Sequence, residues 1–85
     1  MGLDLVEMVT RVEEEFEIQF PDEDASKITT PGELIGYLMS RTEVAEKWSR
    51  DYVNLSIWMI IEDELGVNRE DFNNDSRFIE DMGAG

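Results

Sequence analysis

Residues 3–16 read Leu3-Asp4-Leu5-Val6-Glu7-Met8-Val9-Thr10-Arg11-Val12-Glu13-Glu14-Glu15-Phe16. Leu5, Val6, Val9, Val12 and Phe16 recur at helical spacing, so the stretch reads as an amphipathic helix with one buried stripe. Asp4, Glu7, Arg11 and Glu14 then fall mainly on its exposed side.

Working outward, Thr30-Pro31-Gly32-Glu33 has the form of a helix start: a Thr cap, Pro at the first helical position, and Glu placed to complete a capping box. That helix runs through Leu34, Ile35, Tyr37 and Leu38 to about Arg41. Pro21 to Lys27 leaves room for a turn or a brief helix. From Thr42 to Leu65 there is no Gly or Pro, and Val44, Trp48, Tyr52, Val53, Ile57, Ile60, Ile61 and Leu65 keep helical spacing. One long helix or two abutting helices is expected, with Gly66 as the stop. Asn68 to Gly85 is polar and turn-rich; Phe72, Phe78, Ile79 and Met82, with Val67 before them, are the expected anchors of a long loop. No strand-like alternation is long enough for a sheet. The fold class is all-α.

The chain has 85 residues, one small domain, and a chain of this size buries only about 60 to 65 per cent of its unfolded surface. With neither cysteine nor histidine, it has no disulfide, no thiolate, and no imidazole base or ligand. The formal net charge of −14 opposes nucleic acid and anionic membranes and favours basic protein surfaces and divalent cations. No apolar run approaches the roughly 20 residues that span a bilayer, and no leader is visible. A cytoplasmic location is expected. The many carboxylates lie on predicted solvent faces, where nothing drives their pKa values apart, so no enzymatic activity and no catalytic residue is expected.

Two blocks carry a resemblance. Residues 3–40 contain Glu13-Glu14-Glu15-Phe16, Pro21-Asp22-Glu23 and Lys27-Ile28-Thr29-Thr30; residues 60–85 contain Leu65-Gly66-Val67 and Phe78-Ile79-Glu80-Asp81. The chain resembles acyl carrier proteins, the first block being similar to the second helix of that family through to its last, and the second block to the end of its first helix and the loop that follows. The blocks stand in the reverse of the family order. Joined tail to head, Phe78 to Gly85 followed by Gly2 onward resembles the family's attachment site, in which a Gly-Ala-Asp-Ser-Leu-Asp stretch carries 4′-phosphopantetheine on its serine. The family's Asp falls at Gly85 and its Ser at Gly2.

The resemblance therefore implies an acyl-carrier-like helical bundle, circularly permuted and cut at the attachment point. In this form it has no hydroxyl to carry the cofactor and needs no metal. Residues 3–41 correspond to the second half of the family fold, 42–54 to its fused termini and 55–85 to its first half. A tandem array cut out of register begins and ends in the same way. Thr42 to Asn54 is short for a linker between domains and contains no Gly or Pro, which favours permutation.

As the resemblance carries over, Asp4, Glu7, Glu13, Glu14 and Asp22 face the basic surfaces of acyl-transferring or synthase enzymes, in fatty acid or polyketide biosynthesis. Val6, Val9, Phe20, Ile28 and Ile61 are acyl-pocket candidates, with ordinary core packing as the alternative. A rival function is a non-catalytic acidic interaction or assembly module, engineered variants included.

Asp71, Asn73 and Asp75 fit the opening of an EF-hand loop, but Ser76 and Met82 break the pattern, so these side chains are read as turn caps. Clustered carboxylates such as Glu13, Glu17, Asp22 and Asp24 are expected to bind divalent cations weakly. Trp48 and Trp58 are weighed evenly between core and an exposed patch with Tyr52 and Met59. A straight helix over 42–65 would span about 36 Å and could not fold back within one chain, which points to a domain-swapped homodimer. A break near Ser49 to Asp51 would instead close a monomer.

Overall fold

The computed structural model describes residues 3–84. Five helices follow in chain order: α1 Leu3–Phe16, α2 Asp22–Ala25, α3 Pro31–Ser40, α4 Thr42–Ala45 and α5 Arg50–Leu65, then a single 3₁₀ turn at Arg69–Asp71. There is no strand among the described residues. α5 is the central element: α1 and α3 both pack on it, and α3 also packs on α4.

α1 buries Leu5, Met8, Val12 and Phe16. The buried stripe is thus centred one step round from the expected one: Val6 is 44% exposed and Val9 is half-buried. At 100° per residue Leu5, Met8, Val12 and Phe16 share a narrower face than the set containing Val6 and Val9, and the bundle covers that face. α1 ends on Glu17, a non-glycine residue with φ of 55°, after which the Ile18 amide donates back to the Glu13 carbonyl at 3.1 Å. This closes the last turn in the manner of a Schellman motif. The Glu13 carboxylate accepts from the Phe20 amide at 2.7 Å and fixes the following loop.

The capping box at Thr30 is formed as expected. The Glu33 amide donates to Thr30 Oγ1 at 3.1 Å, and the Glu33 carboxylate accepts from the Thr30 amide at 3.1 Å. Gly66 ends α5 in the left-handed region with φ of 66°.

The single rod over 42–65 does not form. α4 ends at Ala45, and Ser49 caps α5, its Oγ accepting from the Tyr52 amide at 3.2 Å. Two interactions reward the break. The Ser49 cap satisfies an amide that would otherwise lack a partner. Trp48 swings onto the end of α1, its ring 5.3 Å from that of Phe16 in an edge-to-face arrangement. α5 then folds back on α1 and α3 within one chain, so the geometric ground for a swapped dimer is removed. Trp58 is core, 1% exposed, while Trp48 is half-buried.

The segment after Gly66 is held at several points. The Phe78 amide donates to the Thr29 carbonyl at 2.9 Å, the Gly32 amide to the Asn74 carbonyl at 2.8 Å, and Trp58 Nε1 to Asn74 Oδ1 at 2.8 Å. Phe78, Met82 and Ala84 are buried. Ile79, expected as an anchor, points outward at 56% exposure, since its neighbour Phe78 takes the inward position.

Candidate functional site

The start of α1, the segment after α2 and the end of the long loop converge on one cavity of about 210 Å³. Its walls include Leu5 of α1, Ala25 and Ile28 around the end of α2, and Phe78 and Glu80 of the loop. Two hydroxyl residues, Ser26 and Thr29, also border it. Both hydroxyls are engaged: Ser26 Oγ donates to the Glu23 carbonyl at 2.9 Å and Thr29 Oγ1 to the Glu33 carboxylate at 2.6 Å. Exposed Leu3, Val6 and Ile79 belong to the two segments that meet here, α1 and the loop.

The wall formed by α2 is set by a polar relay. Tyr37 donates its hydroxyl to Asp24 at 2.9 Å, and Arg41 donates to the Tyr37 oxygen at 3.0 Å, to the Gln19 carbonyl at 3.1 Å and to Glu43 at 2.7 Å. Burial, followed by the hydrogen bond to Asp24, pushes the Tyr37 pKa up and keeps the phenol a donor. Thus Tyr37 of α3 and Arg41 just after it hold α2 and the loop before it in place.

Of the five acyl-pocket candidates, Ile28 alone borders this cavity. Phe20 is core and stacks on Tyr37 with ring centres 4.5 Å apart, Ile61 is fully buried, Val9 is half-buried and Val6 faces outward. Of the acidic candidates, Glu7 and Glu14 are exposed on α1 and Asp22 is exposed at the start of α2. Asp4 is half-buried in the first turn of α1, and half-buried Glu13 is engaged with the Phe20 amide. The attachment positions Gly2 and Gly85 lie outside the described residues.

Reading the sequence missed Leu5, Ala25, Thr29, Phe78 and Glu80 as cavity walls. A signal was present for Leu5, which belongs to the buried stripe expected of α1.

No group of three or more carboxylates among the described residues is placed to hold a metal ion. The expected cation cluster is dispersed onto other partners: Asp24 accepts from Tyr37, Glu13 from Phe20, and Glu17 pairs with Lys47 at 3.4 Å. Asn73 caps a turn, its Oδ1 accepting from the Asp75 amide at 2.8 Å and its amide donating to Ser76 Oγ at 2.9 Å.

Residues 3–38 match the family model described as the phosphopantetheine attachment site. Over that stretch the chain is similar to acyl carrier proteins. An acyl carrier protein of Clostridium acetobutylicum is 44% identical over 42 residues, which cover 49% of this chain and 54% of that protein. A putative mitochondrial acyl carrier protein of Schizosaccharomyces pombe is 51% identical over 42 residues, covering 49% of this chain and 38% of the other. The chain thus spans about half the length of the bacterial relative it matches and less of the fungal one. No solved structure matches the chain. Among the described residues no helix is long and apolar enough to cross a membrane.

Proposed function

We propose that this chain is an acyl-carrier-type scaffold, related to fatty acid or polyketide synthesis, that presents the acidic side of α1 to basic surfaces of acyl-transferring or synthase enzymes. Asp4, Glu7, Glu14 and Asp22 are the side chains that such a surface meets. Glu13, already bonded to Phe20, holds the loop behind them. The observation that carries the reading is the cavity itself, built jointly by the start of α1 and the Phe78–Glu80 segment of the loop. In the family order those two stretches are consecutive. Their meeting in space, although they lie at opposite ends of this chain, supports a circular permutation in which 3–41 and 55–85 are exchanged and 42–54 joins the former termini.

In the family, 4′-phosphopantetheine is linked through a serine hydroxyl and supplies the thiol that bears the acyl chain. The residues of this chain do not fit that linkage. Gly2 stands where the serine precedes Leu3-Asp4, and the hydroxyls of Ser26 and Thr29 at the cavity are engaged in hydrogen bonds. We therefore read this form as unable to take the cofactor. Incubation with coenzyme A and a broad-specificity phosphopantetheinyl transferase, followed by intact-mass measurement, is expected to leave the chain unmodified. A mass gain of one phosphopantetheine would overturn this part of the reading.

The same engaged hydroxyls favour a second reading, an acidic interaction module that keeps the carrier fold without its chemistry. The two readings separate on Gly2→Ser: if that variant is loaded, the carrier site is intact apart from its nucleophile. If it stays unloaded, the same substitution is made in a chain with residues 42–85 ahead of 1–41, where the site is continuous; if that too stays unloaded with an unchanged helical signal, the interaction module stands.

A further inference from the structure

Large exposed apolar side chains among the described residues fall in two places. Leu3, Val6 and Ile79 belong to the segments that form the cavity just described. Tyr52, Leu55 and Met59 lie on α5 and are 40%, 53% and 61% exposed. At 3.6 residues per turn these three occupy an arc of about 60° and a rise of about 10 Å, two turns of one helix face. α5 is apolar on nearly every side: Val53, Ile57 and Ile61 face the bundle, Trp58 is covered by the loop and Tyr52 turns part of its ring to Phe16 and Trp48, so Leu55, Met59 and the outer part of Tyr52 are what its neighbours leave bare.

The margins of the strip are mainly acidic; the cations near them are Arg69, whose guanidinium lies 5.4 Å over the Trp58 ring, and Lys47, which lies over Trp48 at the Tyr52 end and is paired with Glu17 at 3.4 Å. By helical spacing Asp51 and Glu62 run along one edge and Asp63 along the other. On that second side Glu14 and Glu15 of α1 come up against Ile60. Arg11, on this side, is already paired with Asp63 at 2.8 Å and Glu64 at 3.4 Å. Arg50, at the start of α5, falls on the opposite side of the helix by the same spacing.

We propose that this strip is a second docking surface, separate from the cavity, and that its occupant is a cationic amphipathic helix of a partner protein. A narrow apolar ridge two turns long matches the i, i+3, i+4, i+7 face of another helix, and acid on both margins matches Lys or Arg flanking that face. A second copy of this chain is the poorer fit. Pairing the strip with itself brings Asp51, Glu62 and Asp63 against like charges in a chain of net charge −14.

The test is a titration of the ¹⁵N-labelled full chain with a synthetic Leu/Lys peptide patterned at helical period, beside a peptide of the same composition in scrambled order. Amide shifts are expected at Tyr52, Leu55, Met59 and their acidic neighbours. The scrambled peptide and the Leu55→Ser, Met59→Ser double variant are expected to bind at least about tenfold more weakly, while Val6→Ser binds as wild type. Because Leu55 and Met59 are exposed, the double variant should keep its melting temperature, and the wild-type shift map stands independently of it. Shifts centred on Leu3, Val6 and Ile79, or equal binding of the scrambled peptide, would overturn the proposal. So would concentration-dependent shifts at the strip without peptide, which would make the occupant a second copy.

Discussion

The Gly32 amide donates to the Asn74 carbonyl at 2.8 Å, and a Cβ at Gly32 would stand 2.9 Å from that same oxygen. The glycine is therefore required by a close backbone approach at the start of α3. Gly32→Ala is expected to destabilise the fold by about 1–3 kcal/mol, because the obstacle is loop backbone and not a yielding side-chain tip. Urea unfolding midpoints check this, with Gly36→Ala as the control, since a Cβ there meets nothing within 4 Å.

Asn74 also serves Trp58. Its Oδ1 accepts from the buried indole N–H at 2.8 Å. Asn74→Ala removes the acceptor and leaves that donor unpaired, at a cost of about 1–3 kcal/mol. The indole emission of Trp58 should shift in the native state, which separates loss of this bond from a general loosening.

At the end of α1, Glu17 sits at φ of 55°, a region that disfavours any residue with a Cβ. Glu17→Gly should raise stability by about 1 kcal/mol. The exposed Glu17–Lys47 pair lost in the process contributes little. Glu17→Ala removes the same charge but keeps the Cβ, so a gain of equal size in both variants would trace the effect to charge and refute the strain.

Glu33 gives a pH dependence. Hydrogen bonds from the Thr29 side chain and the Thr29 and Thr30 amides hold its carboxyl below the ordinary glutamate value. Since the folded form binds this proton less readily than the unfolded one, the contribution is full above the unfolded pKa of about 4.3 and is lost as pH falls through the lower folded value. Wild type should exceed Glu33→Gln in stability at neutral pH, and the gap should close at more acidic pH. A gap independent of pH would show that the charge is irrelevant to the cap.

If the two blocks are exchanged halves of one bundle, a reordered chain with residues 42–85 ahead of 1–41 should fold with the same helical content. It should keep the Phe16–Trp48 contact, which the reordering preserves in space though not in sequence order. A reordered chain without cooperative unfolding would count against the permutation.

What could be read before the structure was local. The Thr30 capping box and the Gly66 stop each depend on side chains within a few residues, and both form. The face of α1 was legible only to within one helical step, because Val6 and Val9 are as apolar as Met8 and only the neighbouring helix decides among them. The break at Ser49 lacks the usual Gly or Pro, and its reward, Trp48 against Phe16, comes from residues far apart in the chain. The cavity was hidden for the same reason: three separated segments build it. Tyr37 likewise reads as an apolar position of α3, yet its hydroxyl steers α2 through Asp24.

The bonds that fasten the long loop, Phe78 to Thr29 and Asn74 to Gly32, join residues roughly forty to fifty positions apart. Helical turns close locally and fast, whereas such distant closures bear the full loop entropy before any contact rewards them. The helices should therefore assemble early and the loop should dock last. On that order of events the cavity is a late product of folding, absent from any intermediate in which α1, α3 and α5 have already met.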